Sequence, residues 1–525
     1  MKTEKIVARI DDLQDGEMKE VSIGEKSILL VRVKGEFHAI GSQCSHHGAP
    51  LVQGVLSGSR VRCPWHQACF DVVTGDLQEP PALDGLPHFD VRVEGENVIV
   101  KVPEDIKDQR TLPMAQYDPR VDSRSFVIIG AGAAGNAAAE ALRRDGFQGR
   151  VIMVTRESHL PYDRPQLSKG YLKQDRPGSA TLRPRKFYID HGIEILTNRV
   201  VTRVDASNKA IVFNDGSSLN WDKLLLATGS RPRRPNVPGA ELQGIFTLRG
   251  LNDADQIKAA VEKASRAVVI GASFIGMETA ASMTEWGLSV TIVARESIPF
   301  ERTLGKEIGW MYQRIHEENG VSFKLDTGVS RFEGAHKVRA VVLDNGDRLK
   351  ADFVVVGIGV QPVTDFLKGV RVNPDGSVLV DKHLCIAEDL YAAGDIATFV
   401  DWRTEERIRI EHWRVAEQHG CVAAHNMIGK DIEFHGIPFF WTGQFGISVR
   451  YVGHVTEWDE IIFHGDPSRR KFVAFYVKHD QVLAAAGCGH DMKMAAIAEL
   501  MRMNRIPSPK ELRGSPMNLA RWLKV

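Results

Sequence analysis

Cysteine is scarce: Cys44, Cys63, Cys69, Cys385, Cys421 and Cys488 are the six in 525 residues. So few, so unevenly spread, exclude a disulfide scaffold and make a reducing cytoplasm the expected location. No apolar run approaches the ~18 residues a membrane span needs. The opening MKTEKIVARIDDL is charged and has no apolar core, so neither a secretion signal nor a membrane anchor is expected there. A surplus of charge is also missing, because 67 basic side chains balance 67 acidic ones and no Lys/Arg tract occurs. Nucleic acid and anionic membranes are therefore not expected partners. The length suffices for three or four separate cores.

What is present centres on VIIGAGAAG, Val127 to Gly135. An apolar run breaks into Gly130-x-Gly132-x-x-Gly135, with Ala134 inside the turn, and continues as an Ala-rich helical stretch, Asn136 to Arg144. This predicts a strand, a tight turn and a helix whose N-terminus faces a pyrophosphate. Gly130 turns the chain, Gly132 admits the phosphates, and Gly135 lets helix and strand pack closely. A second strand, Val151 to Thr155, ends in Arg156-Glu157, and Glu157 supplies a carboxylate for a ribose hydroxyl. The pattern recurs at Ala267 to Ile270 with Gly271, Ser273 and Gly276, a helix from Met277, and a strand Ser289 to Val293. Ser273 replaces the middle glycine and is small enough to keep the assignment. This second strand ends Val293-Ala294-Arg295-Glu296. Arg295 suits a 2′-phosphate and Glu296 a 2′-hydroxyl, and the balance falls to NADH over NADPH.

The first hundred residues read as short alternating strands, Ser27 to Val33 and Asn97 to Val102 among them. Within them stand Cys44-Ser-His46 and, sixteen residues on, Cys63-Pro-Trp-His66. One Cys and one His from each of two loops is not zinc-finger order. It suits a Rieske [2Fe–2S] cluster, with thiolates on one iron and imidazoles on the other; a structural zinc site or unliganded core residues are the alternatives. GAPL, Gly48 to Leu51, and CPWH strengthen the resemblance to the Rieske ferredoxin family, which implies Cys44, His46, Cys63 and His66 as ligands. Ala49 and Trp65 stand where respiratory relatives carry an extra disulfide, so the low-potential end of the range is expected. The resemblance also implies imidazoles near the surface. His47 reads as a solvent-facing loop residue and Cys69 as a small buried hydrophobe.

His159 to Leu172, HLPYDRPQLSKGYL, resembles the ferredoxin-reductase and apoptosis-inducing-factor branch of two-dinucleotide flavoproteins. By that resemblance Arg164 and Lys169 contact the flavin ring system. Glu278 lies by the nicotinamide, pairs with Lys169 and shares its catalytic role. Val201, Thr228, Gly229 and Arg249 contact FAD, Gly394-Asp395 bonds the ribityl chain, and Trp413 meets the isoalloxazine. Trp441 stands where relatives put an aromatic beside the flavin. Disulfide reductases of this superfamily place a redox cysteine in this region, and none occurs between Cys69 and Cys385, so a dithiol mechanism is not expected. His412, His419, His425 and His435 lack metal-ligand spacing and read as helix surface.

The expected fold is multidomain. An all-β Rieske domain (1–103) and a linker (104–124) precede two interleaved Rossmann-like α/β units, one for FAD (125–249 and 378–436) and one for NAD(P)H (250–377). A C-terminal α+β domain (437–525) follows, with strands Phe445 to Val452, Ile461 to His464, Lys471 to Val477 and Val482 to Ala486. The resemblance implies an NAD(P)H-dependent FAD oxidoreductase. It passes electrons from a nicotinamide donor to its cluster and on to a redox protein or small acceptor. The alternatives are a reductase component of an oxygenase system acting through a separate ferredoxin, and a signalling flavoprotein. Oligomeric state is not legible.

Overall fold

A computed structural model describes residues 2–173, 180–514 and 518–523. The N-terminal unit is all-β. A six-stranded antiparallel sheet runs in the order Lys2–Arg9, Asn97–Pro103, His88–Glu94, Glu36–Gly41, Lys26–Val33, Glu17–Ile23. A four-stranded sheet, Val55–Ser57 to Leu77–Glu79, carries the rest. The alternation along these strands serves both faces, with Ile28, Leu30, Ala39 and Val98 in one core and Leu29, Val31 and Ile40 in the other. Cys44 and Cys63 sit on loops between strands, each loop closed by backbone bonds, Cys44 N to Ala49 O and Cys63 N to Ala68 O, both 2.8 Å.

The first α/β sheet orders Ile193–Leu196, Arg150–Val154, Ser125–Ile129, Lys223–Leu226 and Leu390–Ala392 in parallel, with Cys385–Ala387 antiparallel at the edge. Near-continuous apolar strands such as Phe126 to Ile129 suit a sheet covered on both faces. Two helices, α1 (Ala133–Arg144) and α3 (Trp413–Met427), pack together on it. They approach so closely that a Cβ on Gly420 would lie 2.1 Å from the Ala134 carbonyl oxygen. The second sheet, of five parallel strands, is Ile245–Thr247, Phe353–Val356, Arg266–Ile270, Ser289–Val293, Ser322–Lys324, with α2 (Phe274–Thr284) following its glycine turn. Its chain segment enters after Lys223–Leu226 and leaves before Leu390–Ala392, so the two units face each other.

The C-terminal sheet is antiparallel, in the order Phe439–Gln444, Ile447–Gly453, Gln481–Cys488, Lys471–Lys478, Glu460–Asp466, and packs on α4 (Asp491–Arg502). Here the sequence reading needs correction. The expected strand Phe445 to Val452 begins only at Ile447, because Phe445-Gly446, with φ of +49° and +76°, is the two-residue turn that joins it to Phe439–Gln444. Positive φ at both central residues is the hairpin geometry that matches strand twist, and phenylalanine rarely signals it. Among the described residues no helix is long and apolar enough to cross a membrane.

Candidate functional site

The two glycine turns are built alike. Gly130 has φ +112°, and a Cβ there would lie 2.1 Å from the Ala227 carbonyl oxygen; Gly271 has φ +105°, with Gly357 O at 2.3 Å. A Cβ on Gly135 would meet Gly130 O at 1.8 Å, and one on Gly276 would meet Gly271 O at 2.1 Å. Backbone fills the space in all four places. At Gly132 nothing lies within 4 Å, so the free ends of the α1 amides face an open cradle. Ser273 caps α2 from an exposed position, its Oγ donating to Gly357 O at 3.3 Å.

A cavity of about 410 Å³ runs from this cradle to the C-terminal sheet. Glu157, Val201, Thr228, Gly229, Asp395, Lys169, Trp413 and Trp441 all line it. Asp395 is buried and accepts from Arg249 at 2.8 Å and Ser230 Oγ at 2.5 Å. Burial pushes its carboxyl up, but Arg249 and Ser230 outweigh this and hold it below the usual range. It is thus an anion able to accept from a hydroxyl. Tyr162 and Arg164 hold Glu157 at 2.7 and 3.1 Å. Arg164 also donates to the Arg249 carbonyl and lines the same cavity.

Lys169 stands at the other end. Its Nζ donates to Glu278 at 2.8 Å. Glu278 is buried on α2 and also accepts from Ser168 Oγ at 2.5 Å and Thr442 Oγ1 at 2.7 Å. One carboxylate so ties the first α/β unit, the second and the C-terminal sheet together. Sequence reasoning gave Ser168 no role within the HLPYDRPQLSKGYL stretch, and missed Thr442, which carries no motif. Glu296 is half-buried at the end of its strand, while Arg295 is 79% exposed and 3.8 Å from Asp344.

The cluster loops converge. His46 Nδ1 and His66 Nδ1 lie 3.2 Å apart, and Cys44 donates to Cys63, which holds the Cys63 thiol low. Burial keeps both imidazoles well below their usual pKa, His46 at about 3, hence neutral, the form that ligates metal. Both imidazoles are half-buried. The His66 ring packs 4.4 Å from Trp441, and Asp163, from the loop before Lys169, comes within 4.8 Å of His46 and His47. His47 is exposed. Cys69 is fully buried, and burial pushes its thiol up to about 12.

One further correction concerns a histidine, and one buried network went unread in the sequence. His419 is not helix surface: it is fully buried between Phe399 and Phe434, and its Nδ1 accepts from Gly394 N at 3.3 Å. The β unit, α3 and α4 are stapled by a buried ionic network with no sequence signature. Glu79 accepts from Arg60, from Arg62 at 3.1 Å and from Arg414, and Arg62 also donates to Glu499 at 2.5 Å. Burial alone would raise Glu79, but the three guanidinium groups hold it well below the usual range.

The residues present fit the groups implied. Two thiols and two neutral imidazoles converge as a cluster's donor set. The cavity keeps an open phosphate cradle, and His412 Nδ1, on its wall, is buried without a hydrogen-bond partner. Fold and site thus define a two-dinucleotide flavoprotein with a Rieske centre. The pyridine nucleotide-disulphide oxidoreductase model matches residues 124–420, the Rieske [2Fe-2S] domain 3–90 and the reductase C-terminal domain 439–523. Apoptosis-inducing factor 3 of Homo sapiens is 42% identical over 520 residues, 97% of this chain and 86% of its own. The benzene 1,2-dioxygenase system ferredoxin–NAD(+) reductase subunit of Pseudomonas putida is 31% identical, covering 73% of this chain and 94% of its own. The covalent putidaredoxin reductase–putidaredoxin complex superposes with a TM-score of 0.71 at 30% identity, over 75% of this chain and 97% of that one. The chain belongs to the pyridine nucleotide-disulphide oxidoreductase family. Its cofactors are FAD, NAD(P)H and a Rieske [2Fe–2S] cluster.

Proposed function

We propose that this flavoprotein carries its own ferredoxin, taking electrons from NAD(P)H and delivering them through its Rieske centre to an outside acceptor. The observation that carries the reading is the contact of His66 with Trp441, a residue that also lines the flavin cavity. FAD, when bound, supplies the step from two-electron hydride chemistry to the single electrons a [2Fe–2S] cluster carries.

The chain's own residues do the positioning. The α1 and α2 N-termini hold the two pyrophosphates through backbone amides, at Gly130, Gly132, Ala134 and Gly135 in one turn and Gly271, Ser273 and Gly276 in the other. Glu157 and Asp395 accept from FAD hydroxyls, with Arg164 and Arg249 orienting them. Val201, Thr228, Gly229 and Gly394 shape the wall, and Trp413 closes the ring end. Glu278 fixes the Lys169 ammonium in the cavity wall, where its charge would favour a reduced flavin. Glu296 accepts from the nicotinamide-side ribose, and the reading is NADH over NADPH. Cys44, Cys63, His46 and His66 bind the cluster, and the division of the chain expected from sequence is part of this proposal.

The relatives that are reductase components of oxygenase systems support ferredoxin-type chemistry. The acceptor of this chain is proposed to be a redox protein or a small molecule. Substituting Cys44 by Ser tests the division of labour: NADH-driven dye reduction persists while the Rieske signal and its reduction vanish. Loss of both together in a folded, flavin-loaded variant overturns the reading.

A further inference from the structure

The hairpin Phe439–Gln444/Ile447–Gly453 places Trp441 directly opposite Arg450. Partners in antiparallel register present their side chains on the same face, so both point at the Rieske unit. Trp441 meets His66. Arg450, only 9% exposed, donates from Nε to the carbonyl of Trp65 at 2.9 Å. Trp65 lies between the ligand residues Cys63 and His66, so this bond grips the cluster loop from outside its own domain. The guanidinium thus lies against the loop that carries Cys63, two positions from Trp65. Its counter-ion is Asp491, 2.5 Å away in the first turn of α4.

A buried ion pair is weak evidence for stability, since an apolar pair of similar volume often does as well. A buried cation beside thiolates has a different consequence. A centre that gains an electron gains negative charge, and a nearby positive charge in a poorly screened site favours that state. Asp163 comes within 4.8 Å of His46 and His47, while Arg450 is a cation of the reductase body bonded directly to the Cys63 to His66 loop.

We infer that Arg450 is a positioning residue for the iron–sulfur centre, contributed by the C-terminal domain: it holds the Cys63 to His66 loop through the Trp65 carbonyl and raises the centre's affinity for an electron, with Asp491 acting against it. The inference rests on the proposed cluster ligands. It makes the docked centre a better acceptor than the same Rieske unit without the reductase body.

The test is an anaerobic spectroelectrochemical titration of the full-length, cluster- and flavin-loaded protein, reading the cluster midpoint by EPR against the flavin midpoint in the same sample. Arg450→Gln removes the charge and Asp491→Asn removes its counter-ion. R450Q is expected to move electron occupancy away from the cluster by about tenfold, a midpoint about 59 mV lower for a one-electron couple. R450K, which keeps the charge, shifts less. D491N shifts the midpoint upward. A loosened loop alone does not produce opposite signs in the two variants. Unmoved midpoints, or R450Q and D491N moving together, overturn the inference. If R450Q fails to keep its cluster, D491N decides alone: an upward shift supports it and any other result overturns it. A wild-type protein with no Rieske-type signal overturns the proposed ligand set itself, and the inference with it.

Discussion

Glu79 is the residue whose loss the structure makes most costly. It takes hydrogen bonds from Arg60, Arg62 and Arg414 and a further one from Gln418 at 3.3 Å, joining the four-stranded sheet of the Rieske unit to α3. Glu79→Gln keeps the shape, removes the charge and turns an NH2 group toward guanidinium donors. Breaking a buried pair by neutralising one partner costs about 3–5 kcal/mol, because the remaining charges stay buried without compensation. The cost falls on docking of the Rieske unit, which shifts by roughly two to four powers of ten. Urea titration followed by the visible circular dichroism of the cluster measures it, beside flavin fluorescence for the reductase body. The expected result is an earlier cluster transition at lower urea, with slower reduction of the cluster by NADH. A cluster transition within about 0.5 kcal/mol of wild type would refute the reasoning. The pH dependence has a definite sign. The folded pKa of Glu79 is depressed, so its contribution is complete above the unfolded value of about 4.3 and fades as pH falls toward the folded one. Wild-type docking should weaken below about pH 4, and E79Q should lose that dependence.

Three other substitutions have equally concrete outcomes. Gly420→Ala puts a Cβ 2.1 Å from Ala134 O, and forcing α1 and α3 apart should cost about 1–3 kcal/mol and weaken FAD retention, read by thermal release of flavin fluorescence. Glu278→Gln removes the charged partner of Lys169. A charge-assisted bond of about 1.5–3 kcal/mol predicts stopped-flow flavin reduction by NADH roughly 10- to 100-fold slower, and unchanged rates would remove Glu278 from the site. Cys69→Ala should leave the Rieske EPR signal intact, since this fully buried thiol is held protonated; loss of the cluster would show that Cys69 does more than pack.

Local chemistry was legible in the sequence wherever it fits within one turn or one loop. The glycines of VIIGAGAAG announce a backbone that tolerates no Cβ at Gly130 or Gly135, and the structure fills those spaces with carbonyl oxygens. The paired Cys and His of the two cluster loops likewise announce a convergent donor set. Two things were hidden for physical reasons. The turn at Phe445 and Gly446 reads as the start of a strand, because tertiary packing rather than turn propensity supports a positive φ at phenylalanine. Contacts that join domains carry no local pattern at all. Glu79 and Arg414 are over three hundred positions apart, and Arg450 reaches Trp65 from nearly four hundred. His419 shows the converse, a polar residue on a helix that reads as surface and lies in the core because Gly394 N satisfies one of its nitrogens.

The internal relay from flavin cavity to Rieske centre through the Trp441 contact is the central claim. Anaerobic titration of the fully loaded protein with NADH and then NADPH, without added ferredoxin, addresses it most directly by absorbance and low-temperature EPR. The account predicts that flavin bleaches and a Rieske-type signal then grows in, with NADH the better donor. Bleached flavin beside a cluster that stays oxidised until a separate ferredoxin is supplied would contradict it.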